Sequence, residues 1–67
     1  MALPRLTEKQ ILVWARAHRK QAGEWPRLGS GAIAGTAERW SAIQAALYRG
    51  ARGLKGGMTL ARLLAHA

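Results

Sequence analysis

Cysteine is absent from the 67-residue chain. That absence excludes disulfide staples, thiolate zinc sites and thiol nucleophiles together. Acidic side chains are almost as scarce: Glu8, Glu24 and Glu38 are the only carboxylates, set against eleven lysines and arginines. Neither these glutamates nor His18 and His66 stand at the spacing of a local acid–base or metal-binding motif, so the chain is not expected to be an enzyme or to hold a cofactor or metal. Long apolar runs are missing too. MALPRLTEKQ carries no stretch of signal-peptide length, and nothing approaches the roughly 18 apolar residues of a membrane span. The expectation is a soluble cytoplasmic protein without a membrane partner, nucleoid-associated if it binds DNA.

What is present is positive charge. The formal net charge is +8, which on so small a surface attracts polyanions at long range and is screened by salt. Eight of the eleven cations are arginine, the side chain that pairs bidentately with phosphates and guanine edges. A solvated, solubility-giving surface usually mixes both signs, and this one does not.

A chain this short has room for one domain, residues 1–67, and must offset about 1.5 kcal/mol of ordering entropy per residue with a single core. Helical periodicity predicts where that core comes from. Thr7 and Gln10 fit a capping box, with Leu6 and Ile11 at the staple positions, so a first helix is expected over 8–22, ended by Gly23. Ile11, Trp14, Ala15 and His18 recur on one face of it, widened by Leu12. Glu24-Trp25-Pro26 then turns the chain, because the residue before proline is pushed out of the α region. Residues 27–35, rich in glycine, read as a loop from which Leu28 and Ile33 tuck back onto the helices. Thr36 is placed to cap a second helix over 37–49, with Glu38 in its first turn and Trp40, Ile43, Ala46 and Leu47 facing inward up to Gly50. Leu54 anchors a second glycine-rich loop. A short third helix over 59–65, capped by Thr59 or Gly57, contributes Leu60, Leu63 and Leu64. The expected fold is all-α, three helices joined by glycine-rich loops, with Trp14, Trp25 and Trp40 in the core.

Two groups of cations stand out on this frame. Arg16, Arg19 and Lys20 are neighbours at helical spacing, and Arg27 follows just beyond the Trp25-Pro26 corner. In YRGARGLKGG, Arg49, Arg52 and Lys55 alternate with small residues, so flexible backbone would let them follow one phosphate track while Tyr48 stacks on a base. Replacing those three is expected to weaken binding beyond a comparable change at Arg5. GSGAIAGT invites comparison with a phosphate-cradling loop, but it has no GK[ST] ending and no preceding strand. It is read as a connection in which Ser30, Gly31 and Thr36 touch a phosphate at most. For Trp25 the core assignment competes with base stacking. His18, on the apolar stripe, is read as structural.

Taken in order, ILVWARAHRKQAGEWP, ERWSAIQAAL and RGLKGGMTLARLLA resemble small bacterial helical domains abundant in planctomycetes. Those domains have a helix ending in a G-x-WP corner, a tryptophan-bearing second helix and an RGL-x-GG segment. More distantly, Gly23, Pro26, Trp40, Ile43, Ala46 and Leu47 look like the framework of homing-endonuclease-associated and helicase-associated repeats. That resemblance implies a DNA-associated accessory module without catalysis of its own. The expected partner is nucleic acid, DNA ahead of RNA. The rival reading is a module that docks a protein partner, a host chain or a second copy through exposed leucines of the third helix. Adhesion of the basic first helix to anionic membrane ranks behind both.

Overall fold

A computed structural model describes residues 5–65. Three α-helices are found among the described residues: α1 (Glu8–Ala22), α2 (Trp40–Arg49) and α3 (Leu60–Ala65), with one 3-10 turn, Leu28–Ser30, between α1 and α2. The fold is a small all-α domain.

α1 follows its local signals. Thr7 Oγ1 accepts from the Gln10 N–H at 3.0 Å, satisfying one of the donors a helix start leaves open. Leu6 and Ile11 are both buried, as a staple requires. At the other end Gly23 takes φ 80°, and its N–H donates to the Arg19 carbonyl at 2.8 Å. Ile11 and Ala15 are buried, while Leu12 and Trp14 pack half-buried beside them.

α2 begins three residues later than its sequence signals suggest. Ile33 is buried and draws the loop into a pinched hairpin. The Ile33 N–H donates to the Glu38 carbonyl at 2.9 Å, and the Trp40 N–H to the Gly31 carbonyl at 3.0 Å. Thr36 Oγ1 is spent inside this turn, donating to the Ile33 carbonyl and accepting from the Glu38 N–H. Arg39 remains extended at φ −127°, ψ 146° and occupies the cap position without a side-chain bond. Thr36 therefore closes the loop and does not cap α2, and Glu38 lies outside the helix. Leu28 also departs from expectation. Seated on the 3-10 turn, it is 55% exposed.

Trp40, Ile43, Ala46 and Leu47 carry the core side of α2. Gly50 ends it for two reasons. It takes φ 76°, and a Cβ there would stand 3.0 Å from the Lys55 carbonyl oxygen, where the following loop doubles back. That loop is tied down at both ends. The Leu6 N–H donates to the Arg52 carbonyl at 2.8 Å, and the Gly57 N–H to the Tyr48 carbonyl at 2.8 Å. Leu54 and Met58 pack against the core.

α3 is held at its start by two side chains. Thr59 Oγ1 accepts from the Arg62 N–H at 3.1 Å, which identifies Thr59 and not Gly57 as the local cap. Gln44, from α2, accepts from the Leu60 N–H at 2.6 Å. Leu60 and Leu63 are buried. Leu64, Trp14 and Trp25, expected inside, are half-buried at the edge of the core. No helix is long and apolar enough to cross a membrane among the described residues.

Candidate nucleic-acid interface

A shallow, positively charged hollow lies at the end of α1. Arg16, Arg19 and Lys20, all exposed, line a hollow of about 420 Å³ whose remaining wall is Trp25. The local sequence explains the arrangement. Gly23 stops the helix, buried Pro26 fixes the chain against the core, and Trp25 between them is swung back over the last helical turn. The Arg19 guanidinium carbon stands 4.9 Å from the Trp25 ring centroid, within cation–π range. Arg19 and Lys20 also sit in the last turn of α1, where the helix dipole favours cations.

A second hollow, of about 560 Å³, shares Trp25 and Arg19 with the first and continues along Pro26, Arg27 and Leu64. Arg27 thus joins the α1 cations around one indole. Its 4.0 Å pair with Glu24 is highly exposed at both ends, the kind of contact that contributes little.

The 48–57 loop is divided. Tyr48 is 66% exposed, and Arg49 and Lys55 are exposed. Arg52 is not available with them. Its side chain is 11% exposed against 16% for Glu38, and it forks onto that carboxylate, Nη1 to Oε1 at 2.8 Å and Nη2 to Oε2 at 2.6 Å. The hydrogen bonds from Arg52 hold the Glu38 carboxyl below its usual range; burial opposes this and the charge attraction adds to it. Reciprocally, the bond to Glu38 raises Arg52. Arg52 thus joins two loops of the fold instead of reaching outward beside Arg49 and Lys55. Arg5 also changes standing. Its guanidinium lies against Gly53, 2.9 Å from where a Cβ would be, so it belongs to this loop's surroundings and is no remote control for it.

The backbone bond from Leu6 to Arg52 places the loop at the start of α1, whereas Arg16, Arg19 and Lys20 stand toward its end. Thr7 and Arg19 are about 18 Å apart along the axis at the helical rise. The two groups therefore flank opposite ends of α1.

The glycine-rich loop offers no phosphate cradle at a helix start. Ser30 Oγ accepts from the Arg27 N–H at 2.8 Å, the Gly31 carbonyl accepts from Trp40, and Thr36 is occupied as described. His18 meets Trp40 edge-on, with ring centroids 6.0 Å apart at 80°. The two line a further hollow of about 320 Å³ into which no carboxylate or hydroxyl residue projects. No group of three metal-ligating side chains gathers among the described residues, and His66 lies outside them.

Sequence reasoning names the cations of the α1 hollow and weighs Trp25 for base stacking, but reads Pro26 and Leu64 of the adjoining hollow as turn and core. A tryptophan between a helix-stopping glycine and a proline was the available signal that its ring would be carried back onto the helix. The chain matches no protein-family model, no curated protein and no solved structure.

Proposed function

We propose that this domain binds nucleic acid non-covalently, DNA in preference to RNA, and performs no chemistry of its own. The observation that carries the reading is the convergence of Arg16, Arg19 and Lys20 on one hollow walled by Trp25. Three cations that share a concave surface with no carboxylate among them are suited to successive phosphates, and the excess of positive charge over the chain supplies long-range attraction. Arg27, with Ser30 beside it, extends this surface, while Arg49, Lys55 and Tyr48 offer a second contact area at the other end of α1, on the loop that Arg52 ties to Glu38. A cytoplasmic, nucleoid-associated setting accords with this reading.

The rival, docking through α3, needs exposed leucines. Leu60 and Leu63 are buried and Leu64 is half-buried, so the apolar surface of α3 is confined to the side of Leu64 that borders the Trp25 hollow.

Fluorescence-anisotropy titration of labelled single-stranded DNA, duplex DNA and duplex RNA at two salt concentrations tests the proposal. Binding is expected to weaken steeply with salt. Replacing Arg16, Arg19 and Lys20 together by Gln should reduce the steepness of log K against log salt by about 2 to 3, the slope of three phosphate contacts. Absence of binding to every polymer at low salt would overturn it.

A further inference from the structure

Resting on the nucleic-acid reading, we infer that the α1 hollow takes unpaired nucleotides, with the phosphate among Arg16, Arg19 and Lys20 and the base stacked on Trp25 beside Pro26 and Leu64. The intended partner is single-stranded DNA, or a strand locally opened.

Three observations lead here. First, Trp25 borders two hollows, one lined otherwise only by cations and the other carrying Pro26, Leu64 and two alanines of α3 together with Arg19, Glu24 and Arg27. A nucleotide's charged phosphate suits the first, and its flat base suits the apolar part of the second. The second hollow, about 560 Å³, falls in the roughly 300 to 1,000 Å³ range of small-molecule sites. Second, Trp25 is half-buried against the core and held by the Arg19 guanidinium. An indole fixed in this way loses little freedom on stacking, and the guanidinium can follow a base plane as well as a phosphate.

Third, no helix-turn-helix is present among the described residues to seat a recognition helix in a duplex groove. The connection between α1 and α2 occupies residues 23–39, far beyond the three or four residues of a helix-turn-helix. α3 has six residues and turns Leu60 and Leu63 inward. Paired bases keep their faces covered by their neighbours, so an indole can stack only where a base is unpaired.

The decisive comparison uses the unaltered protein and three labelled probes at one ionic strength: an oligothymidine strand, a strand of the same length with abasic deoxyribose phosphates, and a duplex. All three carry phosphate, and only the first presents free base faces. The oligothymidine is expected to bind about 5- to 150-fold more tightly than the abasic strand, the range of one stacked base. Trp25→Phe should keep most of that preference and Trp25→Leu should abolish it, the ratio of oligothymidine to abasic affinity falling to about one. Equal affinity for oligothymidine and abasic strands, or tighter binding of the duplex than of oligothymidine, would overturn the inference while leaving phosphate binding intact. No binding to any probe would sink the underlying reading with it. Because the abasic comparison needs no variant, the test stands even if Trp25→Leu does not fold.

Discussion

The ion pair between Glu38 and Arg52 should govern the stability of this domain and its response to acid. Glu38→Gln keeps the shape of the side chain but removes the negative charge facing the half-buried Arg52 guanidinium. Two charge-assisted hydrogen bonds at 2.8 and 2.6 Å are weakened. Each such bond contributes about 1.5 to 3 kcal/mol before the cost of desolvating both groups is subtracted. A net loss of about 2 kcal/mol is expected for a pair that retains some solvent contact. In a domain of this size that lowers the melting temperature by about 8 to 16 °C. Arg52 also sits at φ 58°, a backbone region unfavourable to a non-glycine residue, so the pair helps to hold a strained backbone. The pH dependence has a definite sign. Glu38's carboxyl is held below its ordinary value in the folded state, so its contribution is fully present above about pH 4.3, the unfolded value, and is lost as pH falls through the folded one. Circular-dichroism melts of both proteins at neutral pH and at about pH 3 read this directly, the gap between them closing in acid. A variant that melts with the wild type at neutral pH, or a gap that persists unchanged in acid, would refute the reasoning.

Two further expectations concern the loops. Gly50→Ala combines a left-handed backbone with a Cβ 3.0 Å from the Lys55 carbonyl oxygen, and should cost about 2 to 4 kcal/mol in urea unfolding. Gly35→Ala, at φ 77° but in open space, should cost only about 1 kcal/mol. Gln44→Leu removes the acceptor from the Leu60 N–H and should destabilise the domain by about 1 to 2 kcal/mol; amide exchange should quicken first at Leu60, before the rest of the core.

What the sequence reveals of this fold depends on how far a residue's partner lies from it. α1 is legible to its boundaries because its cap, staple and terminating glycine are all within a few residues. α2 shows the converse. Thr36 and Glu38 look like a helix start when judged against their neighbours, yet Thr36 bonds to the Ile33 carbonyl, and Glu38 is claimed by an arginine fourteen residues on. Burial of Ile33 is expected from the sequence and is found, but no local pattern announces the hairpin that it closes with Glu38 and Trp40. The same holds for α3, where Thr59 is a readable cap but the second acceptor comes from Gln44, sixteen residues away. Leu28 misleads for another reason. An apolar residue in a loop is expected to turn inward, but its 3-10 turn leaves it beside an open hollow with Gln44, Thr59 and Leu60.

The candidate site is legible in composition and opaque in assignment. Identical guanidinium groups serve unlike ends: Arg52 is committed to a carboxylate, Arg19 lies over an indole, and Arg5 lies along the 51–53 turn. Sequence proximity would have grouped Arg52 with Arg49 and Lys55, and only the fold separates them. A constraint visible from the start still limits the answer. Three glutamates cannot neutralise eleven cations, and one of those glutamates is fully engaged by Arg52. Most of the positive charge therefore has no side-chain counterion within the chain, and crowding it onto so small a domain opposes the compact state. Such an excess is better accounted for if an outside polyanion relieves it. The hollow at the end of α1, where three cations gather with no carboxylate on its wall, is where that relief would be greatest.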